Sequence, residues 1–188
     1  MLFVVMIAIS AVWVISEIIL ALWKHSGTPD SKRQDRFSLG YLWLVISLSV
    51  TVGNVLRWWG IGHVRVDHHW ISWLGMLLIL LGLVLRWIAI LTLKRFFTVD
   101  VAIFSDHQLV NRGVYKSIRH PAYAGSLLSF VGLGLAFSNW MSALVIVIPI
   151  TLAFLYRIRV EEKALRSALG ESYARYSLTT KRLIPFLY

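Results

Sequence analysis

Residues 70–93 read WISWLGMLLILLGLVLRWIAILTL, and the only charge among them is Arg86. Coiled as an α-helix this run is about 36 Å long, enough to cross roughly 30 Å of hydrocarbon, and it is apolar on every face. Its solvent is therefore lipid. Working outward, further apolar runs of spanning length occupy residues 2–23, 40–59, 122–138 and 140–158. The composition agrees: 58% hydrophobic residues, 15% charged residues and a mean hydropathy of +0.71 lie outside soluble-domain usage. The expected fold is an all-α polytopic membrane protein with about five transmembrane helices.

The first run lacks a basic stretch ahead of it and exceeds the apolar core of a secretory signal, so it reads as a retained helix. Only Ser138-Asn139-Trp140 separates the last two runs, which predicts a tight antiparallel hairpin in which Gly125, Gly132 and Gly134 permit close approach. The final helix is expected to continue past Leu165 and Leu169 and stop near Gly170, as a cytoplasmic C-terminal helical extension followed by Tyr173 and Tyr176. No repeat or linker divides the chain, so residues 1–188 read as a single domain.

A formal charge of +10 raises the possibility of a nucleic-acid partner, but the placement of the basic residues argues against one. Counting Arg57 and Arg157 with the loops they adjoin, sixteen of nineteen Lys and Arg belong to the first loop, the third loop or the tail. The positive-inside rule then puts the N-terminus outside and the C-terminus in the cytoplasm, with the third loop and the tail side by side. The chain has no cysteine, which excludes disulfides, thiolate metal sites and cysteine nucleophiles. His63, His68 and His69 in the second loop have no metal-binding spacing and read as interfacial residues, so no metal is assigned. Gly132 and Gly134 lie within a span with no strand before them, and this is not a dinucleotide fingerprint.

Two ionisable residues fall inside spans, Glu17 in the first and Arg86 in the third, at similar depth. A charge in lipid is costly unless paired, so these two are expected to pair or to line a polar cavity; snorkelling of Arg86 is the alternative. Asn54 reads as a helix-packing residue. The densest polar run, residues 107–123, leads into the fourth span, where Pro121 suits the first helical turn and Arg119 and His120 stand at the entrance. Backbone N–H groups there can receive an anion; contact with acidic lipid headgroups is the plainer reading. In the fifth span Arg157 and Glu161 share a face one turn apart, in the less favourable order for an intrahelical pair, a spacing suited to a zwitterionic ligand.

With these residues in view the chain resembles the isoprenylcysteine carboxyl methyltransferase family, including its prokaryotic membrane relatives, over roughly residues 85–185. The resemblance lies in His107-Gln108-Leu109-Val110, Gly113-Val114-Tyr115, Arg119-His120-Pro121-Ala122-Tyr123-Ala124-Gly125, Arg157 with Glu161-Glu162, and Gly170 with Tyr173 and Tyr176. Their ordered combination is specific; each part alone is weak. Ala122 stands where the family often has a small polar residue, and the first two helices depart from the family pattern.

The resemblance implies an S-adenosylmethionine-dependent methyltransferase. The cofactor would be held by His107, Gln108, Leu109, Val110, Tyr115, His120, Pro121, Ala122, Tyr123 and Glu161, with Arg157 beside the substrate. It implies a lipophilic methyl acceptor (a prenylated cysteine, a lipid or a small hydrophobic molecule), surrounding membrane lipid, and no nucleic acid. Methyl transfer from a sulfonium needs alignment and desolvation rather than a metal or a covalent enzyme intermediate. An amine acceptor would require a base, for which His120 and Glu161 are candidates; a carboxylate would not. A phospholipid or small-molecule methyltransferase and a nicotinamide-dependent membrane reductase share parts of the pattern. The expected location is a multi-pass position in a prokaryotic plasma membrane.

Overall fold

The computed structural model describes residues 2–23, 31–35, 37–64, 69–98, 101–104 and 108–184. Its helices are α1 (Leu2–Trp23), α2 (Phe37–Trp58), α3 (Trp70–Leu93), α4 (Pro121–Ala136), α5 (Trp140–Leu169) and α6 (Glu171–Thr179). Helices α1, α2, α3 and α5 are long and apolar enough to cross a membrane. With 16 residues, α4 is about 24 Å long and forms a short fifth apolar helix. The helical membrane fold is thus as expected, and the protein is an integral, multi-pass membrane protein. One feature had no sequence signal: an antiparallel ribbon of β1 (Ser31–Asp35) and β2 (Val101–Phe104).

The outer faces carry large apolar side chains in the open, including Leu44 (65% exposed), Leu81 (49%) and Leu152 (61%). Exposure on this scale is stable only against lipid. Inside, Trp13, Leu42, Met76, Ile79, Phe130, Ile146 and Phe154 join α1 to α5 in one core.

Helices α3 and α4 cross at very short range, and glycine is the reason. A Cβ on Gly82 would lie 2.4 Å from the Gly125 carbonyl oxygen, and one on Gly75 would lie 2.5 Å from that of Gly132. Their seven-residue spacing on both helices keeps the two bare patches in register. The expectation for Gly125 and Gly132 is corrected here: they seat α4 on α3 rather than on α5. Only Gly134 faces α5, against Ala143. The α4–α5 hairpin itself is as tight as expected, with Asn139 capping α5 by accepting from the Ser142 N–H at 2.9 Å.

The two ends of the bundle are tied separately. At one end the β1–β2 ribbon joins the first and third loops, and the tail pairs with residues 117–120: Arg119 N–H donates to the Lys181 carbonyl (2.7 Å) and His120 N–H to that of Arg182 (3.0 Å). At the other, Val64 N–H donates to the Ser138 carbonyl (2.9 Å) and Asn139 Nδ2 to that of Ile61 (2.7 Å). First loop, third loop and tail therefore share an end, as the charge count requires of a helical hairpin stack. His63 lies at the far end, bridged to Asn139; His69 precedes α3, and His68 falls outside the described residues.

Glu17 and Arg86 pair inside the bundle, at 2.7 and 2.8 Å, and Arg86 also donates to Ser126 Oγ at 2.8 Å. Arg86 does not snorkel; the carboxylate on α1 and the hydroxyl on α4 hold it where it stands. Ser16 takes a second cross-link from the Trp87 indole N–H at 2.7 Å.

Candidate functional site

A cavity of about 1300 Å³ runs through the tail-bearing end of the molecule and on between α1 and α2. Its inner limb is mainly apolar, walled by residues such as Ile7, Val14, Leu42, Ile46, Phe130 and Leu133, with Asn54 and the paired Glu17 and Arg86 as its polar points. Its outer chamber is polar and aromatic, walled by Gln108, Leu109, Val110, Tyr115, His120, Tyr123, Arg157, Glu161, Tyr173 and Tyr176. Among the described residues α1 packs mainly on α3 and leaves a gap toward α2, and the apolar limb occupies that gap.

Three elements build the chamber. Pro121 starts α4 as its first helical residue, leaving His120 at the cap in non-helical backbone (φ −124°, ψ 57°). His120 is 4% exposed, with Nδ1 3.9 Å from Glu161 and Nε2 3.4 Å from Glu162. The N–H groups of Arg119 and His120, read as candidates for receiving an anion, are instead taken by the tail carbonyls of Lys181 and Arg182.

Helix α5 supplies Arg157, Glu161 and Glu162. Arg157 is 2% exposed, donating from Nη1 to Ser38 Oγ (2.7 Å) and from Nε to Tyr123 Oη (3.1 Å), and Glu161 lines the same cavity. The Tyr123 phenol therefore ties Arg157 into the chamber wall. The adjacent glutamates differ sharply. The Glu161 side chain is 31% exposed and faces the cavity, whereas that of Glu162 is 8% exposed and turns into the protein. Glu162 accepts from Arg119 Nε at 3.0 Å and Arg182 Nε at 3.1 Å, while Arg119 Nη1 also donates to the carbonyls of Ser177 and Thr180. A helix, the loop before α4 and the tail are thereby tied at one buried carboxylate.

Helix α6 forms the lid. Gly170 turns the chain after α5 at φ +54°, a conformation that suits glycine. Tyr173 and Tyr176 then pack inward at 2% and 6% exposure. Tyr176 Oη donates to the Tyr115 carbonyl at 2.6 Å, locking α6 onto the turn Gly113–Lys116. Burial raises the phenol of Tyr176 to about 12 and those of Tyr115 and Tyr173 further still, so all three are neutral hydroxyls at physiological pH.

Of the residues singled out from sequence, Gln108, Leu109, Val110, Tyr115, His120, Ala122, Tyr123, Arg157 and Glu161 meet at this cavity. Pro121 is fully buried and sets the start of α4 without lining the cavity. His107 lies outside the described residues. Asn54 lines the inner limb, as do Glu17 and Arg86. Sequence reasoning missed Ser38, whose hydroxyl reaches Arg157 from α2, and the buried role of Glu162. Nothing in the sequence marks Ser38. The i,i+1 placement of two glutamates on one helix does signal that they face different ways.

Residues 73–167 match the model of the isoprenylcysteine carboxyl methyltransferase family. The chain belongs to that family. Among isoprenylcysteine carboxyl methyltransferase relatives, it is 33% identical over 175 residues to protein-S-isoprenylcysteine O-methyltransferase B of Arabidopsis thaliana, covering 92% of this chain and 87% of that protein. It is 37% identical over 116 residues to the protein-S-isoprenylcysteine O-methyltransferase of Saccharomyces cerevisiae, covering 61% of this chain and 48% of the yeast protein. A solved structure of a eukaryotic intramembrane Ras methyltransferase of this family aligns at a TM-score of 0.63 and 29% identity. That alignment covers 81% of this chain, which spans 55% of the solved one. Membership of the isoprenylcysteine carboxyl methyltransferase family makes this a membrane methyltransferase. Arg157, Glu161 and Glu162 fall within the matched residues, while Tyr173 and Tyr176 lie beyond them.

Proposed function

We propose that the protein uses S-adenosylmethionine to methylate the carboxylate of a lipophilic acceptor, an S-prenylated cysteine, at the cytoplasmic face of the membrane. The observation that carries this reading is the single cavity joining an apolar limb between α1 and α2 to a polar chamber containing both Arg157 and Glu161. A prenyl chain suits the limb, and its carboxylate suits the chamber. The names of the relatives point to the same acceptor.

The chamber fits the donor. Glu161 offers a carboxylate open to the cavity, the need of a molecule with a sulfonium and an ammonium, and Tyr115, Tyr123 and Tyr176 offer flat walls for a purine. The hydroxyl of Tyr173 is buried without a hydrogen-bond partner among the described residues, which supports a chamber made for a further polar group. Gln108, Leu109, Val110, His120 and Ala122 complete the holding set, with His107 assigned by resemblance and Pro121 by its placement of His120. When bound, S-adenosylmethionine supplies an electrophilic methyl group on a positively charged sulfur.

The chain's own residues do the rest. Arg157, held rigidly by Ser38 and Tyr123, orients the acceptor carboxylate; a carboxylate is already a nucleophile, so no side chain must remove a proton. The apolar limb and the α6 lid keep water from that carboxylate and so raise its reactivity. Residues 1–188 act as one unit in this reading, since the tail holds the loop that carries His120. The basic first loop, third loop and tail face the cytoplasm in this proposal.

The test is transfer of labelled methyl from S-adenosylmethionine to an S-farnesylated cysteine derivative by protein in lipid nanodiscs. The expected product is a methyl ester whose label is released by mild base. Label that enters only phosphatidylethanolamine identifies a phospholipid methyltransferase. Saturable NADPH binding without binding of S-adenosylmethionine identifies a reductase, and either result overturns the proposal.

A further inference from the structure

The two inward tyrosines of α6 are treated differently by the fold. Tyr176 is bonded to the Tyr115 carbonyl, and that contact accounts for its burial. Tyr173 is 2% exposed, stacks edge-on against Tyr176 at 6.1 Å, lines the cavity, and has a hydroxyl with no hydrogen-bond partner among the described residues. A buried hydroxyl left unpaired destabilises the protein that carries it, and a phenylalanine would fill the same space without that cost. An aromatic wall alone does not require the oxygen. The hydroxyl makes sense as a donor to something that enters the chamber.

What enters is constrained by the neighbours. Burial, reinforced by the negative fields of Glu162 and Glu161 and only partly offset by Arg119, holds the Tyr173 phenol protonated, so it can give a proton to a hydrogen bond. Glu161 is the open carboxylate that the proposed function assigns to the cationic end of the methyl donor. In an amino acid the ammonium and the carboxylate sit on one carbon, so a ligand whose ammonium approaches Glu161 carries its carboxylate into the same corner. Glu162 is already paired with Arg119 and Arg182, and Arg119 lines the same cavity, so that carboxylate is tolerated in the corner and meets there the one buried hydroxyl without a partner among the described residues, that of Tyr173.

Resting on that reading, we infer that the Tyr173 hydroxyl binds the methyl donor by donating a hydrogen bond to the carboxylate of its amino-acid portion. Tyr173 thereby lets α6 sense an occupied chamber, since the bond is available only when a ligand is present.

The experiment compares wild type with Tyr173→Phe in lipid nanodiscs, using two probes. S-adenosylhomocysteine retains the amino-acid portion, and 5′-methylthioadenosine lacks it. Calorimetric titration should show affinity for S-adenosylhomocysteine falling about tenfold in the variant, the range for a hydrogen bond to a charged group, with affinity for 5′-methylthioadenosine unchanged. The unfolding midpoint of the ligand-free variant should equal or exceed that of wild type, because the lost hydroxyl had no partner. Affinity for S-adenosylhomocysteine within twofold of wild type overturns the inference, as does an equal loss for both probes or a lowered ligand-free midpoint. Failure of the wild type to bind S-adenosylhomocysteine overturns the donor assignment itself and this inference with it.

Discussion

Replacing Glu162 by Gln tests whether the two adjacent glutamates have separate jobs. The Glu162 carboxylate gives one oxygen to Arg119 and His120, at 3.0 and 3.4 Å, and the other to Arg182 at 3.1 Å. An amide keeps one acceptor and turns the other into a donor, so it must present N–H to one of these groups. Facing Arg182 costs least, because that side chain is 32% exposed and can turn to water, while Arg119 stays anchored to the Ser177 and Thr180 carbonyls. The loss is then one charge-assisted hydrogen bond plus the attraction of a buried charge for Arg119, about 2–3 kcal/mol, short of the roughly 3–5 kcal/mol for stranding a fully buried ion. For a chain of this size that lowers the unfolding midpoint by about 4–12 °C. Glu161→Gln should move it by less than about 2 °C, because the Glu161 side chain is 31% exposed and water screens its charge. Thermal unfolding in one detergent, followed by tryptophan fluorescence, reads both variants, and S-adenosylhomocysteine titration should show the reverse order, with Glu161→Gln the weaker binder. Equal midpoints for the two variants, or a larger fall for Glu161→Gln, would refute the division of labour.

The α3–α4 contact should be intolerant of any side chain: Gly82→Val drives a Cβ to 2.4 Å from the Gly125 carbonyl oxygen, and with backbone on both sides it should cost about 3 kcal/mol or more, seen as aggregation on detergent extraction. In the bundle, Glu17→Leu strands Arg86 and should cost about 3 kcal/mol, whereas adding Arg86→Met should restore more than half of it; a double variant less stable than the single one would show that the pair is not the coupled unit described. High pH should unfold the lid. Burial raises the Tyr176 phenol from its ordinary 10 to about 12, so its stabilising contribution is complete below pH 10 and is lost as pH rises through about 12. The unfolding midpoint should therefore fall across that window, with a shallower fall in Tyr176→Phe.

Much of this protein is legible without coordinates. Hydropathy alone marks the five apolar helices, because lipid admits few backbone arrangements other than a helix and a spanning helix must be apolar throughout; the polar α6 was not marked that way. The pairing of Glu17 with Arg86 follows from the cost of a lone charge in lipid, and the start of α4 at Pro121 and the stop of α5 at Gly170 follow from backbone geometry. The site residues from Gln108 to Glu161 came from ordered motifs, and nine of those named line one cavity.

Other features depend on contacts between residues distant in the chain, for which periodicity carries no signal. Gly125 and Gly132 announce a close contact, but which helix they meet is a matter of packing, and it is α3 rather than the sequence neighbour α5. Ser38 reaches Arg157 across 119 positions, and the tail holds His120 through carbonyls that any sequence would possess. The glutamate pair shows the boundary most clearly. Its motif announced two carboxylates on one helix, and successive residues on a helix face about 100° apart, so their roles had to differ. Which one faces the cavity and which one ties the fold together was decided only when the loop before α4 and the returning tail closed around Glu162, because a carboxylate is drawn inward only where enough donors surround it.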